Sequence, residues 1–292
     1  MDQAERLRAL VRQKKIPNNS AKVITITSGK GGVGKSSISV NLAIQFSKMG
    51  KRTVILDADF GLANIEVMMG VRPRYNLADL IYEKKSIDSI ITVGPQNISF
   101  ISGGSGIQEL SNLTKEQITF LIQSLAELDE RADIIIVDTG AGISDAVLEF
   151  VAASQEVILV VTPEPTSITD AYALLKTLNR RENYSNPDRA ISLITNRTTS
   201  VKEGLNIYNK LNAVSGRFLD FNLEYLGAVP QDNIVSKSII YQKPASLLYP
   251  NSSFTKSITE IAEKICPMEN DMSNKKRGIS QVFSNLLKLR KN

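Results

Sequence analysis

Residues 23–36 read VITITSGKGGVGKS. A run of β-formers turns into glycines, and an apolar helical period begins directly after them. Gly29 to Ser36, GKGGVGKS, fits the pattern G-x-x-x-x-G-K-[ST] between a predicted strand and a predicted helix, the context in which that pattern holds phosphate. Gly29, Gly31, Gly32 and Gly34, with Val33 among them, let backbone N–H groups turn inward around phosphate oxygens. The helix that follows Lys35 adds its positive end, and Ser37 in its first turn is a further candidate to bind the nucleotide. Lys35 is placed to reach the β- and γ-phosphates, and the Ser36 hydroxyl to bind Mg²⁺. A second lysine, Lys30, sits inside the loop and has no role in that pattern alone.

Outward from the loop, apolar runs and helical periods alternate. The predicted strands are VITITS, RTVILD (52–57), ISFISG (98–103), DIIIVDT (133–139), EVILVVT (156–162), AISLIT (190–195) and EYLGAVP (224–230). Ile38, Leu42, Phe46 and Met49 share one face of a helix that Gly50 stops. This alternation predicts an α/β fold: a mostly parallel twisted sheet with helices on both faces. Ligands of such sheets lie beyond the carboxyl ends of the strands.

Several polar groups stand at those ends. Asp57 and Asp59 follow the second strand, and Asp138 follows DIIIV in the position where a carboxylate holds Mg²⁺ through its water shell. The chain has no histidine, so Asp59 is the candidate for orienting an attacking water. No N-K-x-D tetrapeptide is present to read guanine. Instead Asn196 and Arg197 follow one strand, and Pro230 and Asp232 follow another. An Asn amide suits the N6/N7 edge of adenine, while Arg or Pro packs on the ring, which favours ATP over GTP.

The chain has 292 residues, of which 42% are hydrophobic and 22% charged, an ordinary globular composition. No apolar run approaches the roughly 18 residues of a spanning helix, and nothing resembles a secretory signal. A single cysteine precludes a disulfide within the chain and a Cys/His zinc or iron–sulfur site built by one copy, and suits a cytoplasmic setting. The net charge of +5 is unevenly spread: residues 1–22 carry +4, residues 273–292 carry +6, and the middle carries −5. Basic tails on an acidic core assign any anionic partner to the tails and make specific nucleic-acid binding by the core an unfavoured reading.

The expected organisation is an N-terminal motif and linker (1–22), a nucleotide-binding domain (23–266), a linker (267–277) and a C-terminal amphipathic helix (278–292). In the last, Ile279, Val282, Phe283, Leu286 and Leu287 fall in an apolar sector of about 160°, with basic residues at its end. That pattern suits an anionic membrane surface, or alternatively packing on the protein's own core. At the other end Asp2 and Glu5 form a capping pair, and Ala4, Leu7 and Val11 share a face of a short segment suited to ordering on a partner.

The set KGGVGKS, DADFGLANIEVMMG, DTGAG, TPEPTSITDAY and VPQD resembles the deviant Walker-A ATPases of the MinD/ParA group, across essentially the whole chain. With DQAERLR at residues 2–8, it is most similar to the branch that regulates flagellar number. The resemblance implies an ATP- and Mg²⁺-dependent homodimer with slow hydrolysis. Lys30 would cross to the partner copy's phosphates, Asp170 would interact with that lysine, and Glu164 would lie near the partner's nucleotide. It implies that Asp2, Gln3, Ala4, Leu7 and Arg8 stimulate the SRP-type GTPase FlhF. It also implies reversible binding to the inner face of the cell membrane, and a basal-body component as a further partner. A division-site regulator, a DNA-partitioning ATPase and a nucleotide-gated scaffold are the alternatives.

Overall fold

The computed structural model describes residues 20–59, 64–104, 114–180, 190–219, 223–267 and 278–289. Asp2, Gln3, Ala4, Leu7 and Arg8 therefore lie outside the described residues, as does most of the 267–277 linker. The strands are β1 (Lys22–Thr27), β2 (Thr53–Ala58), β3 (Thr92–Val93), β4 (Ser99–Ile101), β5 (Ile134–Thr139), β6 (Glu156–Val161), β7 (Ala190–Thr198) and β8 (Glu224–Pro230). They form one sheet in the order β3-β4-β2-β5-β1-β6-β7-β8. All neighbours are parallel except β3, which runs antiparallel to β4. Each of the seven expected strands is present. The two-residue β3 is the addition, too short to leave a periodic signal.

The helices are α1 (Lys35–Lys48), α2 (Asn64–Met69), α3 (Leu77–Glu83), α4 (Ile87–Ile90), α5 (Lys115–Ala126), α6 (Leu128–Arg131), α7 (Asp145–Ala153), α8 (Pro165–Arg180), α9 (Val201–Phe218), α10 (Asn233–Ile240), α11 (Ala245–Leu248), α12 (Ser253–Ile265) and α13 (Ile279–Leu289). Consecutive strand residues point to opposite faces, so the continuous apolar runs feed two cores. Ile134 and Ile136 meet α1, α2 and α12 on one face. Ile135 and Val137 meet α3, α5, α6 and α13 on the other. Farther along that second face, Val157, Leu159 and Leu193 meet α7, α8 and α9.

The chain leaves β1 toward β2 on one side and later crosses to β6 on the other, so β1 sits where the winding reverses. A crevice opens beyond the carboxyl ends of strands at such a point. The glycine loop emerges there, and α1 leads back beneath the sheet, buried from Ser37 to Phe46.

The C-terminal amphipathic helix forms, but its apolar face is occupied. Ile279, Val282, Phe283 and Leu286 are buried in the core with Leu121, Leu125, Leu128, Phe150 and Ala153. Of the two readings open from sequence, a membrane surface or the protein's own core, this structure shows the face packed on the core. The physical reason is that α5 and α7 leave an apolar groove on this face of the sheet, and α13 fills it. The Leu287 side chain lies outside the described set. Among the described residues no helix is long and apolar enough to cross a membrane.

Candidate functional site

The site begins at Ser28, the buried residue that follows β1. Its hydroxyl donates to the Lys30 carbonyl at 2.8 Å, and its own carbonyl accepts from Gly142 N–H at 2.9 Å. The second bond ties the phosphate loop to the turn after β5. Gly29 is pressed against α8: a Cβ there would overlap the Asp170 carbonyl group and stand 2.6 Å from Ala171 N. Gly32 and Gly34 take positive φ (75° and 96°), which points successive N–H groups toward the phosphate position.

Lys35 is buried, with 8% of its surface exposed. Burial lowers its pKa, and the nearby Asp138 and Asp59 carboxylates oppose that shift. Phosphate oxygens would reinforce the charged form. Asp57 and Asp138 are side by side in register on β2 and β5. Burial, then the Asp138 charge, push the Asp57 carboxyl up to about 8, against backbone N–H bonds from Asp59 and Ile65. Asp138 is also raised by burial, although Ser36 and Ser39 hydroxyls donate to it. The Ser39 bond is 2.7 Å long. Ser39 was not foreseen; it lies one turn beyond Ser36, on the side of α1 that faces β5.

Asp138 Oδ2 is buried with no hydrogen-bond partner among the described residues. That orphaned oxygen, with Asp57 and the Ser36 hydroxyl, is an all-oxygen donor set. It fits Mg²⁺, a hard ion that keeps waters and takes phosphate oxygens rather than a full protein cage. Asp59 is partly exposed, with its N–H on Asp57 Oδ1 at 3.1 Å. A Cβ on Gly140 would lie 3.7 Å from Asp59 Oδ1, so this carboxylate borders the turn after β5.

Lys30 reaches the start of α8. Its Nζ donates to Glu164 Oε2 at 2.6 Å and to Thr166 Oγ1 at 2.7 Å. The lysine's hydrogen bond and charge hold Glu164 below the usual carboxylate range, and Arg197 adds to this. The expected partner of Lys30 was the Asp170 side chain. The partners in this structure are Glu164 and Thr166, and Asp170 meets the loop through its backbone at Gly29.

The expected base-reading residues divide. Asn196 is buried and its amide donates to the Val33 carbonyl at 2.7 Å, bracing the loop from the side. The β7–β8 register slips between Asn196 and Thr198, and Arg197 between them takes a φ of 58° and stands exposed. Pro230 ends β8, in register with Thr198. Asp232 is the N-cap of α10, accepting from Ile234 N–H at 3.1 Å. In this structure its carboxylate serves the helix start.

The family model ParA, described as NUBPL iron-transfer P-loop NTPase, matches residues 19–266. Antiactivator FleN of Pseudomonas aeruginosa is 41% identical over 243 residues, covering 83% of this chain and 85% of that protein. Flagellum site-determining protein YlxH of Helicobacter pylori is 35% identical over 272 residues, covering 92% and 90%. In fold, the chain is similar to the septum site-determining protein MinD of Pyrococcus horikoshii complexed with Mg-ADP (TM-score 0.66, 21% identity, 89% of this chain and 100% of that one). It is likewise similar to the MinC:MinD complex of Aquifex aeolicus (TM-score 0.67, 22% identity, 87% and 99%). Loop, carboxylates, topology and relatives agree: the chain belongs to the ParA/MinD family of P-loop NTPases and is an ATPase.

Proposed function

We propose that this ATPase binds ATP with Mg²⁺, pairs with a second copy across the bound nucleotides, docks reversibly on the inner face of the cell membrane, and resets by slow hydrolysis. The observation that carries the reading is Lys30. It stands in the second position of the phosphate loop and is held at the mouth of the site by Glu164 and Thr166. Two triphosphates facing one another repel, and a lysine supplied from the opposite copy offsets that charge.

Within one copy, the loop N–H groups and Lys35 hold the phosphates, and Asn196 braces the loop at Val33 while Arg197 and Pro230 flank the base. Ser36, Asp57 and Asp138 would hold Mg²⁺, which when bound neutralises charge on the phosphate oxygens. Asp59, beside the turn after β5, orients the water that attacks the γ-phosphate. Having no histidine to share this work, the site relies on position and electrostatics.

The setting is control of flagellar number and placement, supported by the likeness to FleN and YlxH. Residues 1–22 would stimulate the SRP-type GTPase FlhF, and a basal-body component would be a further partner. Release of α13 would supply the membrane contact. The test is Asp59→Ala with ATP and Mg²⁺. The variant should bind ATP and run as a stable dimer by size-exclusion; a monomer under those conditions would sink the sandwich. Adding the chain, with or without residues 1–20, to FlhF and reading GTP hydrolysis tests the flagellar assignment.

A further inference from the structure

We infer that Asp129 is the latch of α13, and that the segment α6–β5–α7 is the element through which the nucleotide site opens it. This rests on the reading above, in which ATP frees the helix, and it names the residues that regulate the step.

A helix start has N–H groups without partners, and a local Ser, Thr, Asp or Asn usually caps them. At α13 the preceding residue is Gly278, which has no side chain to offer. The cap comes instead from α6. Asp129 Oδ1 accepts from Ile279 N–H at 2.7 Å. Its Oδ2 accepts from Ser280 N–H at 3.4 Å and from Ser280 Oγ at 2.8 Å. A Cβ on Gly278 would overlap this carboxylate, so the glycine is what lets the cap come so close. Asp129 is buried, and burial raises its pKa against those three bonds.

The second attachment is on α7. Phe283 meets Phe150 edge to face, with ring centroids 5.5 Å apart. Asn285 Nδ2 donates to the carbonyl of Ala153, the last residue of α7, at 3.3 Å. Thus α13 is gripped at its start by α6 and along its length by α5 and α7.

Those two helices flank β5 in the chain. At the far end of β5 lies Asp138, and the turn that follows is bonded to the phosphate loop through Gly142 and Ser28. α7 starts from this turn. It has nine residues and so spans about 13 Å, a rigid rod from the nucleotide site to the middle of α13. α6 precedes β5 and is fixed to the sheet at the opposite end. A shift of residues 140–144 around a γ-phosphate moves α7 relative to α6. The attachments of α13 to α6 and to α7 then cannot both be satisfied, and the helix leaves the groove between α5 and α7.

The experiment is hydrogen exchange of the full chain, reading amides 279–289, with size-exclusion on the same samples. Without nucleotide, Asp129→Ala should raise exchange of those amides about fivefold, the usual loss for a helix cap, while sheet amides stay unchanged. Asp129→Asn keeps an acceptor and should show a smaller rise. Ser280→Ala, which removes one bond and is least disturbing to the fold, should show the least. With ATP and Mg²⁺ the parent chain should lose the same protection, and Asp129→Ala should gain little more. Unchanged exchange of 279–289 in all three variants overturns the latch. If the parent chain dimerises with ATP but keeps 279–289 protected, the coupling through α7 is overturned. If Asp129→Ala frees the helix and ATP produces no dimer, the latch stands and the dimer reading fails.

Discussion

Gly29→Ala tests whether the phosphate loop is positioned by contact with α8. A methyl group at Gly29 would overlap the Asp170 carbonyl and stand 2.6 Å from Ala171 N. Ordinary contact begins near 3.4 Å, so one of two backbone segments must move by about 1 Å. Neither can yield by a side-chain rotation. Overpacking of this kind costs about 1–3 kcal/mol. For a domain of this size that lowers the melting temperature of the nucleotide-free protein by roughly 2–10 °C. The Lys30 contact with Glu164 and Thr166 spans the same two segments, so it should be lost as well. Gly31→Ala is the control, since a Cβ there finds nothing nearer than Ala141 Cβ at 3.9 Å. Gly32→Ala adds a conformational comparison: it has open space around it but a φ of 75°, and strain alone should cost about 1 kcal/mol. The assay is thermal unfolding of the three variants without nucleotide. A Gly29→Ala protein that melts with the parent would refute the close-contact argument.

Asp57 predicts a pH dependence. Its folded pKa is raised to about 8 from 3.8, so the folded state binds the proton more tightly than the unfolded chain does. The nucleotide-free protein should therefore lose stability as pH rises through the window from about 4 to about 8. Between pH 6 and pH 8 the loss should be about 2 kcal/mol by urea unfolding, and Asp57→Asn should flatten the slope. Asn196→Ala leaves the Val33 carbonyl without its amide donor, a cost of about 1–3 kcal/mol; calorimetric titration should show weaker ATP binding, and unchanged affinity would remove Asn196 from the site. Lys30→Ala should leave ATP binding by one copy intact while size-exclusion shows no ATP-dependent dimer; normal dimerisation would return Lys30 to an ordinary loop lysine.

The sheet was legible because strands buried on both faces read as unbroken apolar runs, as IIIV in β5 does. The phosphate site was legible because its chemistry is local: glycines, Lys35 and Ser36 are contiguous. What joins distant segments was not. Ser39 reaches Asp138 only once α1 is laid against β5. Asn196 and Asp232 looked alike from sequence, two polar residues after strands, but one braces the loop and the other caps a helix. The α13 periodicity announces an apolar face without naming what covers it. Asp129 is the sharpest instance. A helix-start rule looks at the residue before the helix and finds Gly278, whereas the cap lies in α6.

The two ends of the sheet bear on how copies can meet. An open strand edge offers its N–H and C=O groups to a neighbour, and chains that add there can add without end. Here one end finishes in a two-residue antiparallel strand followed by Gly94 and Pro95. At the other end the Leu226 carbonyl of β8 accepts from Lys264 Nζ at 2.6 Å, and the ladder with β7 is interrupted twice. Neither edge is a good template for polymer growth. In the pairing proposed above, self-association uses the loop face, and the same patch on each copy would meet itself. Such a contact would close at two, so blunted sheet edges and the proposed pairing together favour a countable unit over a filament.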